Sequence, residues 1–313
     1  YKYNVKTVLT IHNPAFQGSF NPSRLGELFN LDRSYFDNGL IRFNDECSTL
    51  KAAIMTSDKI TTVSPNHRDE LSNFMYDYGL SHVLKYRLDD FIGIVNGVDY
   101  KEFNPENDPN IKYSFSKNNL RGKYYNKLAF SKEYGFDPKK PLYGLVSRLS
   151  FQKGIELLIE SLKNYKDDLN VFILGSGEEG LEDKVRELER LNPNIKAYIG
   201  YSDALAHKVY AASDFFFMPS LYEPCGIGQM IAHTYGSLPL VRETGGLKDT
   251  VDDLIDGIRF KNFDTYAMNY AINKSLEIYK NKDLFRKMRK AAINKDHSWA
   301  NSCEEYLELY KSI

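Results

Sequence analysis

The chain has 313 residues, 41 basic against 42 acidic, for a formal net charge of −1. That length allows two domains of ordinary size, and the balanced charge supplies neither the basic excess of a nucleic-acid binder nor an acidic tail. The three cysteines, Cys47, Cys225 and Cys303, form no C-x-x-C pair, which excludes a disulfide framework or a cysteine zinc site and suits a reducing compartment. Hydrophobic residues make up 42%, enough for sizeable cores. The apolar runs are strand-length, short of the ~20 residues that a membrane helix requires. Six histidines are scattered and show no metal spacing.

Tyr1 leads straight into a β-rich run at 5–11 (V-K-T-V-L-T-I), which stops at His12, Asn13 and Pro14. A polar pair at the end of a strand suits a ligand, and a plain turn accounts for it as well. Residues 16–44 read as a long irregular surface excursion. Helical spacing follows at 48–56, then a strand at 59–63. Ser64-Pro65 starts a helix, with Ser64 as N-cap and proline at the first helical position. The run 92–98 (I-G-I-V-N-G-V) predicts a strand interrupted by an Asn-Gly turn, after which 99–119 turns polar and rich in Pro and Asn. Asn96 reads as a hinge, a ligand contact or no more than its turn.

From Pro141 the pattern is regular. Strands are predicted at 142–146, 170–174, 195–199, 215–218 and 238–241. They alternate with helices near 154–164, 179–191 and 204–211, the mark of βαβ units on a parallel sheet. The first turn, S-R-L-S-F-Q-K-G, puts Arg148 at a strand end and Lys153 at a helix start. Two such cations can converge on one diphosphate, although a solvated basic pair would look the same. The later stretch P-S-L-Y-E-P-C-G-I-G-Q places Glu223 in a loop and predicts a helix opening at Cys225–Gly226 and lasting to about Gly236. A strand then ends on Arg242, and the turn at Gly245–Gly246 opens another helix. Two glycine-relieved turns therefore come to one edge of the sheet, each with backbone N–H groups at a helix start where an anion is favoured. A carboxylate between them suits a ligand bearing sugar hydroxyls and phosphates. Helices at 266–280, 282–295 and 298–312 close the chain. The last carries Trp299, Tyr306, Leu309 and Tyr310 as a packing stripe.

With these residues in view, the chain resembles the bacterial glycogen synthases and plant starch synthases, glycosyltransferase family 5. The matching segments are T-I-H-N-P-A-F-Q-G (10–18), T-T-V-S-P (61–65), G-I-V-N-G-V-D (93–99), V-S-R-L-S-F-Q-K-G (146–154), G-Y-S-D-A (200–204), P-S-L-Y-E-P-C-G-I-G-Q (219–229), Y-G-S-L-P-L-V-R-E-T-G-G-L-K-D-T-V (235–251) and S-W (298–299). Relatives with a second glutamate eight residues after the first are less similar, since position 231 is Ile.

The resemblance implies an α/β fold of the GT-B type, two Rossmann-like parallel-sheet domains facing a cleft. It implies retaining transfer of glucose from ADP-glucose to the non-reducing 4-hydroxyl of an α-1,4-glucan, without metal or cofactor. Arg148 and Lys153 would meet the diphosphate, and Glu223 and His12 the glucose. Asn13 and Asn96 would lie near the sugar and Tyr201 against the adenine. Cys225, Gly226, Ile227, Thr244, Gly245 and Gly246 would supply sugar or phosphate contacts. A family K-x-G-G-L-x-D-V loop has no early copy here, so residues 1–91 are expected to form an incomplete acceptor-side domain. Residues 92–120 would be a hinge, 121–296 the nucleotide-sugar domain, and 297–313 a helix packing back toward the first domain. The alternatives are an inactive nucleotide-sugar or glucan-binding portion, or a transferase using UDP-glucose. The expected partners are ADP-glucose or ADP and the glucan, with no nucleic acid and no membrane. Lys, Asn and Tyr richness fits an AT-rich source and a bacterial cytoplasm, with a plastid as the alternative compartment.

Overall fold

The computed structural model describes residues 5–73 and 77–313, which divide into two compact units, one running to Asn96 and joined by Ala300–Ile313, the other Gly97–Trp299. In the first unit, β1 (Val8–Ile11), α1 (Thr49–Thr56), β2 (Lys59–Thr62), α2 (Pro65–Ser72), α3 (Ser81–Lys85) and β3 (Phe91–Gly93) follow in order. The three strands pair in parallel in the order β1, β2, β3. Their core is Ile11, Ile54, Ile60, Leu71, Leu80, Leu84 and Phe91. Ser64 caps α2 by accepting from the His67 N–H at 3.2 Å, with Pro65 at the first helical position. Residues 16–44 are more than a surface excursion. They contribute to a small antiparallel sheet (Ser19–Phe20, Arg42–Phe43 and Glu46–Ser48) that covers Leu25, Phe36, Ile41 and Cys47. The 92–98 strand is shorter than its sequence suggests, because β3 ends at Gly93. There a Cβ would lie 2.3 Å from the Ser64 carbonyl oxygen.

The second unit opens with α4 (Arg121–Tyr134) and continues through β4 (Leu142–Val146), α5 (Ile155–Leu162), β5 (Asn170–Gly175), α6 (Glu179–Leu191), β6 (Ile195–Ile199), α7 (Asp203–Ala212), β7 (Phe215–Met218), α8 (Gly228–Thr234), β8 (Leu238–Arg242), α9 (Gly245–Thr250), β9 (Ile258–Phe260), α10 (Thr265–Lys280) and α11 (Lys282–Asn294). All six strands are parallel, in the order β9, β8, β7, β4, β5, β6. Strands buried on both faces read as apolar runs, and Phe215–Phe216–Phe217 is entirely buried. Tyr143 stacks between Phe215 and Phe217, each at 4.9 Å, and its hydroxyl meets Ser275 Oγ at 2.6 Å. The chain order reverses between β4 and β7, which makes the C-terminal ends of those two strands the switch point where such sheets bind ligands.

The N-terminal edge of the same sheet is held by a buried charge cluster. Asp214 Oδ2 meets Lys127 Nζ at 2.6 Å and the Leu142 N–H at 3.0 Å, while Oδ1 accepts from Arg289 at 2.8 Å. Fully buried Lys123 donates to the Tyr210 and Ala211 carbonyls and to Ser237. This explains why α4 escapes a reading by apolar period, since its buried face includes Lys123, Asn126 and Lys127. The final helix, α12 (Trp299–Lys311), buries Ser302 and Leu309 and leaves Trp299 and Tyr310 exposed, so the aromatic stripe packs only in part. Ser302 Oγ donates to the Val95 carbonyl at 2.5 Å.

Burial pushes the Asp214 carboxyl up, but Lys127 and Arg289 outweigh it and hold the group below its ordinary value. Its stabilisation is therefore complete above the ordinary carboxylate pKa of about 3.9 and is lost as pH falls through the lower folded value. Asp214→Asn leaves buried Lys127 and half-buried Arg289 without their anion and should cost about 3–5 kcal/mol. Urea unfolding at neutral pH checks this, and the difference between the two proteins should shrink in acid.

Candidate active site

The loops after β4, β7 and β8 are built against one another. After β4 the chain turns through Phe151–Lys153 to Gly154, whose φ of +69° lies in the left-handed region. A Cβ on Gly154 would stand 2.1 Å from the Pro219 carbonyl oxygen, so only glycine lets the first loop lie on the second. Gln152 fastens that contact twice. Its carbonyl accepts from the Leu221 N–H at 2.8 Å, and its side-chain amide donates to the Tyr222 carbonyl at 3.1 Å. From the other side, buried Arg242 at the end of β8 donates to the Ser220 carbonyl at 2.8 Å and to the Leu221 carbonyl. The third loop then closes in, with the Gly246 N–H donating to the Glu223 carbonyl at 3.1 Å.

Glu223 is the side chain these loops hold. It is 6% exposed. Its Oε2 accepts from Lys153 Nζ at 2.5 Å and from Ser220 Oγ at 2.9 Å. Among the described residues both contacts fall on Oε2, so Oε1 is the oxygen left to accept from a ligand. Arg148, Lys153, Glu223, Gly226 and Ile227 line a cavity of about 350 Å³. A neighbouring cavity of about 300 Å³ is lined by Arg148, Tyr201, Phe103 and Asp203. Val146, Ser147, Arg148, Tyr210 and Ile231 belong to both linings, so the two spaces adjoin at the switch point. Tyr201, 86% exposed, offers its ring to the second. A larger groove between α5 and α6 is lined by charges that pair among themselves, Lys184 with Glu156 and Lys163 with Glu160. It gathers no comparable chemistry.

Other expected residues take different places. The helix after Glu223 starts at Gly228 and ends at Thr234, a shorter span than the sequence suggests, so Cys225 and Gly226 lie in the loop before it. Cys225 is buried, its carbonyl accepts from Gln229 Nε2 at 3.2 Å, and it lines neither cavity. Gly245 and Gly246 are also absent from both linings. A Cβ on Gly245 would stand 1.9 Å from the Glu223 carbonyl oxygen, and one on Gly246 2.2 Å from that of Cys225. With its N–H turned to Glu223, Gly246 positions the loop. Thr244 is buried beside them. His12, Asn13 and Asn96 belong to the first unit. His12 is exposed just beyond β1, Asn13 Oδ1 accepts from the Ala15 N–H at 3.0 Å within its own turn, and Asn96 is half-buried beyond β3. Gln152, Ser220 and Arg242 escape the sequence reading, because the backbone carbonyls that Gln152 and Arg242 hold carry no side-chain signature.

Residues 1–86 match the family model described as starch synthase catalytic domain, and residues 126–295 match glycosyl transferases group 1. The glycogen synthase of Streptococcus agalactiae is 40% identical over 99% of this chain and 67% of its own length. That of Clostridium botulinum is 40% identical over 100% and 68%. The chain belongs to the glycogen and starch synthase family. The catalytic domain of starch synthase IV from Arabidopsis thaliana, solved with ADP and acarbose bound, superposes with a TM-score of 0.92 at 32% identity, over 98% of this chain and 66% of that one. Sucrose-phosphate synthase from Thermosynechococcus elongatus, at 16% identity and a TM-score of 0.64, shares the fold. The fold class is thus the GT-B class expected from the sequence. This family member spans about two thirds of the length of these relatives. Among the described residues, no helix is long and apolar enough to cross a membrane.

Gly246→Ala forces a methyl against the Cys225 backbone, an overpacking of the kind that costs about 1–3 kcal/mol. The urea midpoint should fall accordingly. An unchanged midpoint would mean the two loops are not packed as described.

Proposed function

We propose that this chain binds ADP-glucose and transfers its glucose, with retention of configuration, to the non-reducing 4-hydroxyl of an α-1,4-glucan. The observation that carries the reading is the adjoining pair of cavities at Arg148, one holding Lys153 and Glu223, the other Tyr201. A nucleotide sugar has the same sequence of parts: a sugar for the carboxylate, a diphosphate for the cations, a base for the aromatic ring. The ADP bound by the Arabidopsis starch synthase supports adenine as that base.

As the bond from the glucose anomeric carbon to the β-phosphate oxygen breaks, negative charge gathers on the departing diphosphate. The Arg148 guanidinium and the Lys153 ammonium take up that charge, and donors fixed before the reaction are worth most in the transition state. These two cations take the part a divalent ion plays elsewhere, so neither metal nor cofactor is proposed for the transfer. Glu223 Oε1 accepts from the glucose hydroxyls while Oε2 stays with Lys153 and Ser220. One carboxylate thereby couples the position of the sugar to that of the cation on its leaving group. Gly226 and Ile227 bring backbone into the sugar cavity, whereas Cys225, Thr244, Gly245 and Gly246 act by holding the Glu223 loop. The compartment proposed is a bacterial cytoplasm.

Loss of a charge-assisted hydrogen bond costs about 1.5–3 kcal/mol, or about 10- to 150-fold. Arg148→Ala and Lys153→Ala should each lower kcat/KM for ADP-glucose by that much in a labelled-glucose transfer assay on glucan. A change below about threefold contradicts the role. Glu223→Gln should depress transfer while ADP affinity stays within about threefold. Equal loss of both would make Glu223 a purely structural residue.

A further inference from the structure

A second cluster of side chains in the same unit stands apart from Lys153 and Glu223. His207, on α7, is 1% exposed. Its Nδ1 lies 2.8 Å from Asp108 Oδ2 and 3.2 Å from the Tyr235 hydroxyl, which itself donates to Asp108. A carboxylate only accepts, so Nδ1 carries a proton, and in the neutral ring that leaves Nε2 with its lone pair. That nitrogen is buried, and among the described residues it has no hydrogen-bond partner. Phe103 stacks on the ring at 4.7 Å and fixes its plane. The carboxylates of Glu102 and Asp203 stand with the imidazole so that one ligand atom from each lies within 4.8 Å of the others. Asp203 also has an ordinary reason to be there, since a carboxylate in the first turn of α7 is favoured by the helix dipole. The unpartnered Nε2 has no such reason. An unpaired buried acceptor carries a desolvation cost, and two adjacent carboxylates repel. A cation at their centre removes both penalties.

We propose that Glu102, Asp203 and His207 form a binding site for a divalent first-row transition ion of the Zn²⁺ type. One imidazole nitrogen and two carboxylate oxygens suit such an ion, whereas Mg²⁺ and Ca²⁺ favour oxygen ligands alone. Asp108 supplies the outer hydrogen bond that orients a metal-binding histidine and sets its tautomer. The ion is a tether: it joins the segment carrying Glu102 and Phe103 to α7, beside the cavity that Phe103 and Asp203 line. Asp203 and His207 stand four residues apart on one face of α7, while Glu102 comes from a distant part of the chain and joins them only on folding.

The test is calorimetric titration of Zn²⁺ into chelator-stripped protein, with Mg²⁺ as control, for the wild type and the Glu102→Gln/Asp203→Asn double variant. Both substituted residues are exposed, and a circular dichroism spectrum reports whether the fold is kept. The wild type should bind one Zn²⁺ per chain and gain thermal stability from it. The double variant should lose at least about tenfold in affinity, since outer hydrogen bonds alone are worth about 10–100-fold, and should lose the stability gain. No Zn²⁺ binding by the wild type, or a loss below about threefold in the variant, overturns the proposal. Because no nucleotide is used, either result leaves the donor reading untouched.

Discussion

The ion pair between Lys153 and Glu223 is the contact on which the functional reading turns. Glu223 is buried, and a buried carboxylate is tolerated only when paired and hydrogen-bonded; Lys153 at 2.5 Å and Ser220 at 2.9 Å meet that need on a single oxygen. The two partners come from loops after different strands, so the pair exists only if the loops after β4 and β7 are stacked, and the loop after β8 closes on the second of them. Gly154, Gly245 and Gly246 permit the stacking, and Gln152 and Arg242 fasten it through backbone carbonyls. Pre-organisation of this kind lets a site meet developing charge without rearranging at the moment of reaction.

The second unit divides its labour between the two edges of one sheet. At the N-terminal edge, Asp214, Lys127 and Arg289 form a closed cluster in which each charge answers another. At the C-terminal edge, the linings of the adjoining cavities include Arg148, which is exposed, and Lys153, which is half-buried. The first cluster serves stability, and the second leaves charge available to a ligand.

Much of this was legible in the sequence for a physical reason. Parallel strands covered on both faces leave apolar runs such as Phe215–Met218, and glycine turns mark where loops approach backbone. The same rules hid other parts. Helix α4 buries lysines, so apolar spacing does not betray it, and β9 is three residues long. The glycines at 245 and 246 looked like anion-binding turns, yet Gly246 turns its N–H to Glu223, because a close backbone approach and a ligand cradle ask for the same residue. Gln152 and Arg242 act through carbonyls, which carry no side-chain signature.

The most direct measurement is calorimetric titration of ADP, ADP-glucose and UDP-glucose into the wild-type chain and Lys153→Ala. The account predicts binding selective for the adenine nucleotides that the variant loses. Equal affinity for UDP-glucose, or binding that survives loss of the lysine, would contradict a donor site built on the Lys153–Glu223 pair.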